Sequence, residues 1–152
     1  MVFRTLSRLT GSGDVEDLAQ EVFLRLFRAW PGFRREASVE TFLYRIIVNV
    51  VRDQWHRQRQ ARRTVSLDAE PALRASLAGP TQDPSLRVYR DGMLSALGQC
   101  LAALDVEERA ALTLFHQEGL SYDQIAAALG LPLGTVKTHL HRGRARLREA
   151  FI

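Results

Sequence analysis

A chain of 152 residues and 17.2 kDa has room for one ordinary domain or two very small ones. With 46% hydrophobic and 25% charged residues it can bury a core, which excludes global disorder, and its one cysteine, Cys100, excludes an intrachain disulfide framework or a cysteine-based zinc site. Lys and Arg number 21 against 17 Asp and Glu, a formal net charge of +4 with pI near 10.0, so a polyanionic partner is indicated only where the positive charge clusters.

Period-2 alternation and hairpin turn signals are nearly lacking, and period 3.6 dominates. From Asp14 to Trp30, Val15, Leu18, Ala19, Val22, Phe23, Leu26, Phe27 and Trp30 form one helical stripe, which Pro31-Gly32 ends. Ser38 is a plausible N-cap for a second long helix, Ser38–Arg57, with Val39, Phe42, Leu43, Ile46, Ile47 and Val50 along one face. Arg52–Arg63 is basic, and between Ala61 and Pro84 the periodicity dissolves into Pro, Gly, Ala, Ser, Asp and Thr, the composition of a flexible linker. Helical spacing resumes at Leu94, Leu97, Leu101 and Leu104. Asp105–Glu108 and Ser121–Gln124 are capping-box patterns, Gly119 and Gly130 suit helix ends, and Pro132 suits the start of the last helix. The expected fold is all-α. Two small helical domains, residues 1–60 and 85–152, are joined by a flexible linker over 61–84 that lets them move independently, and the second contains a helix-turn-helix. No apolar run approaches a membrane span, and Arg4 and Arg8 interrupt the first apolar residues, so the expectation is a cytoplasmic protein without membrane insertion.

Leu120–Arg148 carries the strongest chemical signal: a capped short helix, Gly130, a tight turn, then a helix with no acidic residue from Lys137 to Arg148. Val136, Leu140 and Leu147 point inward; Lys137, His141, Arg144 and Arg148 share an outward stripe flanked by Thr138 and Arg142. Such a face suits the major groove, where a solvated basic helix would show the charge without the caps and turn. On the second helix, Tyr44, Val48, Val51 and Trp55 project beside Arg45 and Arg52. They form either a surface that stacks on unpaired bases or a second core face. Asp17, Gln20, Glu21, Arg25 and Arg28 line the polar side of the first long helix, a pattern that solvation alone would also explain. The chain has no Gly-rich phosphate loop, nucleophile elbow or H-E-x-x-H motif, and His139 and His141 point to different sides of their helix. The expectation is a non-enzyme without cofactor or metal, with Cys100 as a small buried hydrophobe.

Asp14–Phe23 with Leu26, Phe27 and Trp30 resembles the polymerase-binding region of bacterial sigma-70-family factors. Phe42–Asn49, running on to Asp53, resembles the −10-reading and melting region of their extracytoplasmic-function (ECF) group. Gly119–Ala126, Leu129–Lys137 and Arg142–Leu147 resemble that group's −35-reading helix-turn-helix. The resemblance implies a sigma factor whose partners are core RNA polymerase, promoter DNA and an anti-sigma factor. It assigns Asp17, Gln20, Glu21 and Arg25 to polymerase, and Phe42, Tyr44, Arg45, Asn49 and Arg52 to the −10 single strand. It assigns Lys137, Thr138, His141 and Arg142 to −35 base edges, with Arg144 and Arg146 on phosphates. Phe42 stands where the group often has Trp, and Val2–Leu9 corresponds to the end of a first helix that is longer in the group. Two rival readings are a free-standing helix-turn-helix regulator, which leaves the first two motifs idle, and a sigma-like decoy that sequesters a partner.

Overall fold

The structure, a computed structural model, describes residues 1–11, 15–64, 92–93, 96, 99–101 and 103–151. Asp14, Leu94, Leu97 and the expected linker beyond Thr64 lie outside the described residues. The described elements are helical: α1 (Val2–Thr10), α2 (Glu16–Ala29), a short 3-10 turn (Trp30–Gly32), α3 (Val39–Thr64), α4 (Val106–His116), α5 (Tyr122–Leu129) and α6 (Leu133–Phe151).

Local chemistry sets most helix ends. Gly11 closes α1 in the left-handed region at φ 69°, and its N–H donates to the Ser7 carbonyl. Pro31 tightens the end of α2 into the 3-10 turn. Ser38 Oγ accepts the Thr41 N–H at 3.1 Å and opens α3. That helix runs on to Thr64, into the segment expected as linker, because Arg57–Arg63 are all Arg, Gln and Ala, strong helix formers with no breaker among them. Both capping boxes form. Ser121 N–H donates to Gln124 Oε1 at 2.9 Å and Gln124 N–H returns to Ser121 Oγ at 3.2 Å. Asp105 N–H donates to Glu108 Oε2 at 3.3 Å.

Leu6, Leu9, Val22, Ile47 and Val50 are buried in the first three helices; Leu104, Leu114, Ile125, Leu129, Val136 and Leu140 are buried in the second domain. Gly143 brings α6 hard against α4: a Cβ there would stand 2.7 Å from Leu112 Cδ1. Composition pointed to domains that move independently, yet the two are packed together, α3 along α5 and α1 against α4, and their buried apolar residues form one cluster. No described helix is long and apolar enough to cross a membrane.

Candidate nucleic-acid and polymerase interfaces

α5, the turn at Gly130 (φ 66°) and α6 form the helix-turn-helix. Pro132 supplies the carbonyl that accepts the Thr135 and Val136 N–H groups at 3.0 and 3.1 Å, so α6 starts abruptly after the turn. Val136 and Leu140 are buried beneath it, which leaves Lys137, Thr138, His141, Arg142, Arg144 and Arg148 exposed on the outer side. Thr138 Oγ1 donates to the Gly134 carbonyl at 3.0 Å, so its hydroxyl faces any outside group as an acceptor. His139 turns away, with its Nδ1 buried. Arg144 lies over the Phe115 ring at 5.2 Å with its charge still in water. Arg146, expected on phosphate, is exposed, 2.7 Å from the buried Glu108 carboxylate and 3.7 Å from Asp105, and it ties α6 to the start of α4.

The flank of α3 lies against the second domain. Tyr44, Val48 and Val51 are buried and Trp55 is half-buried, so these residues belong to the core cluster, and Tyr44 and Trp55 meet Glu118 and Arg109 of the second domain. Tyr44 Oη donates to Glu118 Oε2 at 3.0 Å; burial, reinforced by that bond, pushes the phenol up to about 12. Glu118 also accepts Arg8 at 2.9 Å, Thr5 at 3.2 Å and Arg4 at 3.4 Å. Burial alone would raise its pKa, but the bonds from Arg8, Tyr44 and Thr5 and the charge of Arg4 outweigh it and hold the carboxyl low. Arg52 forks onto both oxygens of Glu107 at 2.6 and 2.7 Å, and donates to the Leu129 carbonyl at 2.8 Å and to Asn49 Oδ1 at 3.1 Å. Arg45 is exposed and lies over Gly130, its Nη2 3.6 Å from where a Cβ would stand. Arg109 is buried at the junction, where it donates to the carbonyls of Leu9 and Leu101 and lies over the Trp55 ring at 5.0 Å. Burial lowers its pKa to about 10.

Along α2 the apolar stripe splits. Val15, Ala19 and Val22 are buried, whereas Phe23, Trp30 and above all Phe27, at 82% exposure, face solvent. Asp17 and Gln20 are exposed beside them. Arg25 pairs with Glu21 and with Asp53 of α3, both at 2.7 Å; the bonds to Glu21 and Asp53 raise its pKa and brace α2 on α3. At the end of α2 an aromatic ladder begins: Trp30 stacks on Phe33 at 5.4 Å, and Phe33 meets Phe42 at 4.7 Å. Arg35, in the exposed loop that follows, has φ 56°, a left-handed conformation that costs a non-glycine residue about 1 kcal/mol. Among the described residues no group of three His, Cys, Asp or Glu side chains could hold a metal ion.

Residues 1–61 match the family Sigma-70 region 2, and residues 94–147 match Sigma-70, region 4. The chain is 32% identical over 142 residues to the ECF RNA polymerase sigma-E factor of Escherichia coli K12, covering 91% of this chain and 74% of that protein. The chain belongs to the ECF group of sigma-70-family factors. This sigma factor is also 39% identical over 151 residues to the ECF sigma factor SigE of Mycolicibacterium smegmatis, covering 97% of this chain and 56% of the relative, so it spans little more than half of that protein's length. A solved structure with the same arrangement, at TM-score 0.70 and 25% identity over 99% of this chain and 89% of that one, is the sigma factor RpoE of Bartonella quintana in complex with the anti-sigma factor NepR.

Region 2 of this sigma factor is thus α1–α3 and region 4 is built on α4–α6. The structure gathers Lys137, Thr138, His141 and Arg142 on one open face, and Tyr44, Asn49 and Arg52 beneath the second domain. Sequence reasoning missed Phe33, Glu107, Glu118 and Arg109. Phe33 could have been found as the aromatic that follows the Pro31-Gly32 turn. Glu107 and Glu118 carry no local mark, because their partners lie 55 to 114 residues away, and Arg109 reaches the Leu9 carbonyl across 100 residues.

Proposed function

We propose that this sigma factor binds core RNA polymerase and directs it to specific promoters in the cytoplasm. The observation that carries the reading is the presence, in one chain, of both sigma regions, with the base-reading face of α6 uncovered. Asp17, Gln20, Glu21 and Arg25, with the exposed aromatics of α2, form the polymerase-docking face. Phe42, Tyr44, Arg45, Asn49 and Arg52 receive the −10 single strand, and Trp30 and Phe33 extend the stacking surface beyond Phe42. Lys137, Thr138, His141 and Arg142 read −35 base edges, and Arg144 contacts phosphate. The protein performs no bond chemistry. Capture of unstacked bases on α3 offsets an unpairing cost of a few kcal/mol, to an order of magnitude. The fold shared with a sigma factor held by an anti-sigma protein supports a protein inhibitor as a further partner.

The test is transcription with purified core polymerase, using promoters found by sequencing transcript starts after induced expression. New starts that share two motifs, reproduced in the purified system, support the reading. DNA binding without core binding would make the chain a free-standing regulator, and core binding without initiation would make it a decoy.

A further inference from the structure

We infer that Gly143 is a positioning residue for base reading: with no side chain there, α6 rests directly on Glu108 and Leu112 of α4, and that seat sets the depth and rotation at which Lys137, Thr138, His141 and Arg142 meet a base pair. This rests on the role proposed above for α6.

Val136, Leu140, Gly143 and Leu147 fall at i, i+4, i+7 and i+11, the inner stripe of α6. The pattern calls for a large apolar side chain at the third place, and the chain has glycine, which weakens a helix relative to alanine. Two residues one turn apart on α4 take up the space. A Cβ at 143 would lie 2.7 Å from Leu112 Cδ1, 3.3 Å from Leu112 Cγ and 3.6 Å from Glu108 Cβ. Leu112 is buried, and turning its end alone leaves Cγ in a tight contact, so a methyl at 143 pushes on the helix as well as on the leucine. Arg146, one turn further along α6, holds Glu108 Oε2 at 2.7 Å, and that oxygen also accepts the Asp105 N–H at 3.3 Å. The close contact at Gly143 fixes how near α6 lies to α4, and the ion pair fixes where along α4 it stops. Gly143 directly follows Arg142 and lies two residues from His141, so any lift of the seat reaches both. Hydrogen bonds to base edges weaken steeply with distance and angle, whereas the attraction of an arginine for phosphate tolerates a small shift. Raising α6 therefore weakens the reading of sequence more than the hold on the DNA backbone.

The test uses the full chain, in which the outer face of α6 is uncovered, and duplex DNA. Duplexes with a randomised central block are selected with the parent chain. Affinity is then measured for the selected duplex and for one of scrambled sequence, at equal salt. Gly143→Ala should lower the ratio of the two affinities about tenfold, the size of one lost bidentate base contact, and leave the scrambled duplex within about twofold of the parent. Gly143→Ala combined with Leu112→Ala, which empties the space the methyl needs, should bring the ratio back to within about threefold of Leu112→Ala alone. A merely structural role behaves differently: partial unfolding lowers both affinities together and keeps their ratio. A parent ratio retained by Gly143→Ala, or a lost ratio that the second substitution does not restore, overturns the inference. If the parent selects no sequence, the reading of α6 falls and the inference with it. If Arg142→Ala loses the preference while Gly143→Ala keeps it, the reading stands and the seat alone is wrong. Should Gly143→Ala fold poorly by circular dichroism, Arg146→Gln carries the same comparison, because it frees α6 from Glu108 without adding volume. It should lower the ratio about threefold or more; an equal loss on both duplexes would make Arg146 a phosphate contact and overturn the inference.

Discussion

Arg144 and Arg146 sit two residues apart on α6 and do different work. Arg146 neutralises Glu108, whose side chain is 2% exposed, whereas Arg144 keeps its charge in water above Phe115. Arg146→Ala should therefore cost the second domain about 1–3 kcal/mol, since it strands a buried carboxylate, and leave the salt dependence of DNA binding unchanged. Arg144→Ala should do the reverse and lower the salt slope by about one unit with little change in urea midpoint. Denaturation curves and binding isotherms over a salt series give both readouts. Arg142 can fork onto guanine O6 and N7, so Arg142→Ala should relax preference at one −35 base pair by on the order of tenfold, read by selection from a randomised −35 library. An unchanged preference would mean that α6 enters the groove rotated from the orientation argued above.

α2 is an amphipathic helix of which only half of the apolar stripe is used by the fold. Phe27→Ala should leave the thermal midpoint within about 1 °C, because an exposed side chain contributes little to folding, and should weaken binding to core polymerase at least several-fold, because exposed aromatics are interface anchors. A matched affinity in a pull-down titration would remove Phe27 from the docking face. The helix ends were legible in sequence because capping is local: Ser38, Ser121 with Gln124, and Gly130 each act within one turn. The second face of α3 was not. Tyr44, Val48, Val51 and Trp55 beside arginines have the composition that suits a stacked base and a packed helix equally, and only the position of α5 distinguishes them. Gly143 likewise reads as a weak point in a helix, until Leu112 on α4 is seen to fill the space above it. The exposed basic face of α6 was legible because charge, turn and caps fall within one short segment.

The closed arrangement sets a pH window for the whole molecule. Glu118 is held below its ordinary value of 4.5, so its contribution to closure is complete above that value and is lost as pH falls through the lowered one. Tyr44 works in the opposite sense. Its proton is held more tightly in the closed state, so its contribution is complete below the ordinary value of 10.0 and disappears as pH rises through about 12. Acrylamide quenching of Trp55 should thus be flat from about pH 5 to pH 9 and rise outside that range. A change centred near neutrality would place another group in control of the junction.

The junction also has a history in time. Glu107 follows Arg52 by 55 residues, Glu118 follows Tyr44 by 74, and the Leu9 carbonyl waits 100 residues for Arg109. At about 5–20 residues per second, a ribosome that has just released α3 needs on the order of several seconds to make those partners. During that interval α1–α3 stand alone, with Tyr44 and Arg52 still without their partners. Every newly made molecule therefore passes through a state in which the face of α3 that later packs on α5 is uncovered.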